Sequence, residues 1–250
     1  MTTKLQDPDG TTIRTFAPDL VTGPLPVVIG LAGPKGCGKS YVGQVLASEL
    51  DQNLPFKAYG PREQFFSENE WLRKPVKSRP LATAVKAVSH HLLSWLLDEL
   101  QLADLQNLGE RERKAARIVI DPKESPISLR RIYQVIGTEV GQAVQRTVWV
   151  EIARRQILRD QRLDGTQVVI IDDVRFPHEL PILDTLVFVE GPPVPPDAHA
   201  SEQHLDFLRE RSTTIIRNWP RISEEQLRHA LEPLLVLIGS IAKSKAFYKN

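Results

Sequence analysis

Gly33-Pro-Lys-Gly-Cys-Gly-Lys-Ser40 constrains this chain more than any other stretch, because it satisfies G-x-x-x-x-G-K-S between a short apolar run and a helical pattern. Glycines in such a loop let successive backbone N–H groups converge on phosphate oxygens, and the N-terminus of the following helix adds a favourable dipole. Lys39 is placed to reach terminal phosphates and Ser40 to ligate Mg2+. Gly33, Lys35, Gly36, Cys37, Gly38 and Tyr41 complete the expected ATP-binding set. The preceding Pro26-Val-Val-Ile-Gly-Leu-Ala32 is continuous and apolar, as a strand buried on both faces of a parallel sheet should be.

The 250 residues, 41% hydrophobic and 25% charged, suffice for a sizeable core, and one domain over residues 26–250 is expected after an arm at 1–25. A net charge of +1 provides no global field for a nucleic-acid backbone or an anionic membrane, so direct nucleic-acid binding is not expected. The start lacks an apolar leader, and no stretch approaches the roughly 20 apolar residues of a membrane span. A cytoplasmic location is therefore expected, the host cytoplasm if the chain is phage-encoded. The single cysteine, Cys37, excludes an intramolecular disulfide and a cysteine-built zinc site.

Residues 1–25 mix Asp, Thr, Gly and Pro and read as an arm that packs loosely or lies disordered. A helix is expected from about Lys39 to Leu50, a second strand over Phe56–Gly60, and a long helix over Leu81–Leu105. Lys74, Lys77 and Arg79 read as a basic loop, and the charge run within 110–126 as a linker with a solvated face. Ile127 to about Leu163 reads as mostly helix, bent near Gly137 and Gly141. Strands are expected at Gln167–Ile171, Leu186–Val189 and Thr213–Asn218, and a closing helix at Ser223–Ala242 that starts at Ser223 and Glu224-Glu225. Five short strands alternating with helices imply an α/β doubly wound parallel sheet, with ligands outside the carboxyl ends of the strands.

The remaining chemistry falls at such ends. Asp172 and Asp173 close the clearest strand, where a carboxylate can hold magnesium directly or through water. Arg175 follows within Asp173-Val-Arg-Phe-Pro-His-Glu179 and suits charge on a transferring phosphoryl group. Arg130 and Gln134 stand one helical turn apart, with Gly137 and Thr138 a turn further on, a face offering a phosphate-binding cation and a base-reading amide. An exposed polar face would look the same, and Trp149 reads equally as core. The histidines lack a ligand spacing, so no metal site is assigned to them.

Together, the Gly33–Ser40 loop, the block Arg130-Arg-Ile-Tyr-Gln-Val-Ile-Gly-Thr-Glu139 with Trp149-Val150, the Asp173–Glu179 block and His199-Ala-Ser-Glu202 resemble bacteriophage-type deoxynucleoside monophosphate kinases over roughly residues 27–220. The resemblance implies transfer of the ATP γ-phosphate to a deoxynucleoside 5′-monophosphate. It also implies a P-loop core of five parallel strands, a substrate-binding insert at about 60–165 and a lid at about 175–206. Lys39, Arg131, Asp173 and Arg175 would be catalytic, with Ser40 and Asp173 at the metal. Arg130, Arg131, Gln134, Gly137, Thr138, Trp149 and Glu179 would serve the monophosphate; Arg175, Ser201 and Glu202 would belong to the lid. Asn218 would face the adenine. Two departures stand out: the family often has an acidic residue where Ser40 follows Lys39, and Tyr59–Lys86 matches only loosely.

Two other readings fit a nucleotide loop. One is a kinase for a different small acceptor; the other is an ATP-dependent switch with no small acceptor, which has no use for a second anion site at Arg130–Thr138. The sequence is compatible with a homodimer and leaves the choice between Asp172 and Asp173 at the metal open.

Overall fold

In the computed structural model of the protein, the described residues are 2–6, 12–16, 25–53, 75–99, 117–119, 123, 125–128, 131–132, 135–192, 203–220 and 222–247. The chain opens with β1 (Thr2–Gln6) and β2 (Thr12–Phe16), paired antiparallel. The core follows as β3 (Val27–Ala32), α1 (Lys39–Asn53), β4 (Val76–Ser78) and α2 (Ala82–Glu99). Two short strands, β5 (Arg117–Ile118) and β6 (Ile127–Ser128), pair antiparallel ahead of a π-helix at Val135–Val140. Then come α3 (Gly141–Val144), α4 (Val148–Asp164), β7 (Val168–Ile171), a 3-10 helix at Pro177–Ile182 and β8 (Thr185–Glu190). The chain closes with α5 (Leu205–Arg211), β9 (Thr214–Arg217) and α6 (Glu224–Phe247).

β4, β7, β3, β8 and β9 form one five-stranded sheet in that order, every pair parallel. This is an α/β fold consistent with a P-loop kinase. β3 is central because its residues are apolar on both sides, and the period-2 alternation of a strand sends them into two cores. Val27, Ile29 and Leu31 join Val42, Leu46 and Leu50 of α1 and Leu227, Leu231, Leu234 and Ile238 of α6. On the other face Val28 and Ala32 join Ala153 and Ile157 of α4 and Leu208 of α5. Each fully buried Leu or Ile contributes about 1.5–3 kcal/mol. α6 begins in a capping box: Ser223 Oγ accepts from the Gln226 N–H at 3.2 Å, and Gln226 Oε1 accepts from the Ser223 N–H at 2.9 Å.

Several expectations are corrected. Within the 1–25 arm, two strands pair into a ladder, Thr2 opposite Phe16 through Gln6 opposite Thr12. The expected strand at Phe56–Gly60 lies outside the described residues, and the edge strand of the sheet is β4, from the stretch read as a basic loop. Lys77 and Arg79 are held by α4: Arg79 grips buried Asp160 with two bonds of 2.5 and 2.6 Å, and Lys77 pairs with Asp160 and Asp164. Ile127–Ser128 is strand rather than helix, and the helical stretch behind it breaks at Gln145–Thr147, beyond the two glycines. β4 and α4 fall inside the span assigned to the insert, yet both belong to the core. β8, inside the span assigned to the lid, pairs with β3 along the middle of the sheet.

Candidate functional site

The Gly33–Ser40 loop leaves the carboxyl end of β3 and runs into α1, whose first turn closes with the Val42 N–H donating to Gly38 O at 3.0 Å. Lys39 reaches back across the loop: its Nζ donates to Gly33 O at 2.6 Å, to Pro34 O at 2.8 Å and to Cys37 Sγ at 3.6 Å. An ammonium held at the mouth of a helix N-terminus concentrates positive potential there. Lys35, Gly36 and Ser40 are exposed, Lys39 and Tyr41 are partly buried, and the Cys37 thiol points into the core. Gly38 has φ +91°, and a Cβ on it would lie 2.3 Å from Asn218 Nδ2, so only glycine fits.

β7 ends beside the loop because it pairs with β3, Ile171 opposite Gly30. Consecutive residues there point to opposite sides, and the two aspartates have separate partners. Asp172 Oδ2 accepts from Ser40 Oγ at 3.0 Å. Asp173 turns to α2 and caps it: its two oxygens accept from the Leu81 and Ala82 N–H groups at 2.7 and 2.8 Å. Burial raises the Asp173 carboxyl above the ordinary carboxylate range, although both N–H bonds pull it down. The residue expected at the metal thus serves a helix N-terminus, and its neighbour stands at the loop.

The turn after β7 is organised by Glu179. Its buried carboxylate accepts from the Arg175 N–H at 2.6 Å and the Phe176 N–H at 2.9 Å, so it holds the backbone that carries the exposed Arg175 side chain. Desolvation pushes the Glu179 carboxyl up to about 7 against those two donors. Phe176 stacks on His178 at 5.3 Å between ring centroids and meets His204 edge-on at 5.7 Å.

The expected monophosphate face is partly described. Arg130 and Gln134 lie outside the described residues, as do Ser201 and Glu202 of the expected lid. Thr138 lies within the π-helix, and Gly137 meets α2, where an added Cβ would stand 3.0 Å from Val85 Cγ1. Trp149 packs on Gly141, and its Nε1 donates to Gly137 O at 2.7 Å, so the indole fixes the π-helix against α4. Arg131 is exposed and pairs with Glu139 at 2.8 Å. Asp173, α2, Gly137 and Trp149 therefore form one line of contacts from the β7 edge to this face.

Asn218, expected to face the adenine side, is buried against the loop, its Nδ2 donating to Cys37 O at 2.8 Å. Sequence reading reached Asp172 without choosing it, and only the register of β7 on β3 separates it from Asp173. Among the described residues no group of three or more His, Cys, Asp or Glu could hold a metal ion, and no helix is long and apolar enough to cross a membrane.

A family model described as deoxynucleotide monophosphate kinase matches residues 79–227, 149 of the chain's 250 residues. The matched span takes in the Arg131–Glu139 pair, Trp149, Asp172 to Glu179 and Asn218, and it begins after the Gly33–Ser40 loop. No curated protein matches the chain.

Proposed function

The chain belongs to the deoxynucleotide monophosphate kinase family and is an enzyme acting on deoxynucleotide monophosphates; from that premise we propose that it moves the γ-phosphate of ATP to a deoxynucleoside 5′-monophosphate, giving the diphosphate. The observation that carries the proposal is the meeting of Ser40 and Asp172 beside Lys39, at the mouth of α1. It joins a phosphate-binding loop, which lies outside the matched span, to the strand end of the matched span that carries Arg175. Membership of this family leaves no place for the non-enzymatic switch.

A hydroxyl and a carboxylate are hard oxygen donors, and a pair of them suits Mg2+, which keeps several waters and takes its remaining ligands from phosphates. Ser40 and Asp172 would hold that ion, and it would neutralise charge on the phosphates of ATP. The loop N–H groups would bind the phosphate chain, and Lys39 would exchange a loop carbonyl for a phosphate oxygen. Arg175, held by Glu179, and Arg131, on leaving Glu139, would bind the phosphates being joined. The acceptor is itself a phosphate anion, so the reaction calls for alignment and charge neutralisation rather than a strong general base. Gly137, Thr138 and Trp149, with Arg130 and Gln134, would form the acceptor's site. Its setting is the cytoplasm, where ATP and the deoxynucleotide pool meet.

Phosphorus NMR of a mixture of protein, ATP, magnesium and a deoxynucleoside monophosphate tests this. The expected result is growth of a deoxynucleoside diphosphate together with ADP, lost on Lys39→Ala substitution. ATP that yields only ADP and inorganic phosphate contradicts it.

A further inference from the structure

The Cys37–Gly38 peptide lies at the centre of the loop, and a buried residue from the far end of the sheet holds its carbonyl. Asn218 directly follows β9 and is separated from Cys37 by 181 positions. It is 7% exposed. Its backbone N–H is tied to Glu190 O at 2.9 Å, at the carboxyl end of β8, so the side chain springs from a fixed point. A carbonyl only accepts, so the atom 2.8 Å from Cys37 O is the NH2 of the carboxamide. Gly38 leaves no slack: a Cβ there would stand 2.3 Å from the same Nδ2. Gly191 packs on Cys37 as well.

In a trans peptide the C=O and the next N–H point in opposite directions. Holding the Cys37 carbonyl toward Asn218 therefore directs the Gly38 N–H the other way, to the side of the peptide that Asn218 does not occupy. A flipped peptide would present a carbonyl oxygen to phosphate oxygens, a repulsive contact in place of a donor. Asn218 Oδ1 is buried and has no partner among the described residues. Stability alone gives no reason to bury a carboxamide with one half unsatisfied, and such orphaned groups call for another explanation.

We infer that Asn218 is a positioning residue for the phosphate donor: its carboxamide fixes the Cys37–Gly38 peptide in the orientation that binds a polyphosphate. The inference rests on the reading of Gly33–Ser40 as the ATP-phosphate loop. It replaces a contact between Asn218 and the base with a contact to the loop, and it assigns the effect to the phosphate chain.

Titration calorimetry of the full chain with magnesium-ATP and with magnesium-tripolyphosphate, beside steady-state kinetics, tests it. Asn218→Asp keeps the shape and removes the donor; Asn218→Ala removes the donor without adding a charge, should the aspartate variant fail to fold. Both ligands should bind roughly tenfold or more weakly, by the same factor for each. KM for the deoxynucleoside monophosphate should stay unchanged. Folded variants that bind both ligands as the wild type does overturn the inference, as does loss of ATP affinity without loss of tripolyphosphate affinity, or equal damage to both substrates. Wild-type protein that binds neither ligand overturns the reading of the loop itself, and the inference with it.

Discussion

Ser40 and Asp172 stand 132 positions apart in the chain and meet at 3.0 Å, hydroxyl to carboxylate, where β3 and β7 end side by side. The next residue, Asp173, faces the other way and holds the start of α2. Two adjacent carboxylates therefore have separate partners, one at the Gly33–Ser40 loop and one at the start of α2.

On the proposed mechanism, Asp172→Asn should lower kcat by roughly a hundredfold or more, with little change in the unfolding midpoint, because it would remove a charged group from the proposed magnesium site at a partly exposed position. Asp173→Ala should do the reverse. Loss of the α2 cap costs about 1–2 kcal/mol in urea unfolding, and activity should follow the folded fraction. Equal effects of the two substitutions on kcat would contradict the division.

Glu179 should make stability depend on pH. Its carboxyl titrates near 7 in the folded protein against an ordinary 4.5, so the folded state holds a proton that the unfolded chain has released across that window. Its contribution to stability is then greatest below the ordinary value and is lost as pH rises toward 7, a change on the order of 3 kcal/mol between the limits. Glu179→Gln should flatten this part of the profile when urea unfolding is compared at pH 5 and pH 8. A variant with the wild-type slope would show that other groups carry it.

Trp149→Phe keeps a ring against Gly141 and removes the donor to Gly137 O. A stability loss of about 1 kcal/mol is expected from the unpaired carbonyl. If the π-helix lines the acceptor's site, KM for the deoxynucleoside monophosphate should rise while KM for ATP stays level. A rise in both would place the indole's role in the frame alone.

The central strands were legible because burial on both faces leaves nothing but apolar residues, and Val27–Ala32 and Val168–Ile171 are such runs. β4 was not. Val76-Lys77-Ser78 has one apolar residue, and it becomes a strand through pairing with β7 and through ion pairs with α4, both tertiary effects that override local propensity. The pairing of β1 with β2 was hidden by composition. In sequence, Asp7-Pro8-Asp9-Gly10 is turn chemistry between segments rich in β-branched residues, and the same Pro and Gly equally suit an unstructured arm. The glycines at 137 and 141 announced an irregular helix without saying that it is a π-turn braced by Trp149.

The site divides in the same way. A local motif encodes the Gly33–Ser40 loop, and so it could be read directly. The pairings of Asp172 with Ser40, of Glu179 with the Arg175 backbone, and of Asn218 with Cys37 depend on register and crossover, which no local pattern carries. Asn218 stands at the strand end where the resemblance expects it, and its bond to Cys37 O is a contact that no local pattern announces.

The most direct test of the central claim is ADP release, followed by enzymatic coupling, from protein with magnesium-ATP and each of the four deoxynucleoside monophosphates in turn. At least one of them should accelerate ADP release and be consumed in equal amount as its diphosphate appears. ADP release that is absent, or that none of the four alters, would contradict the account.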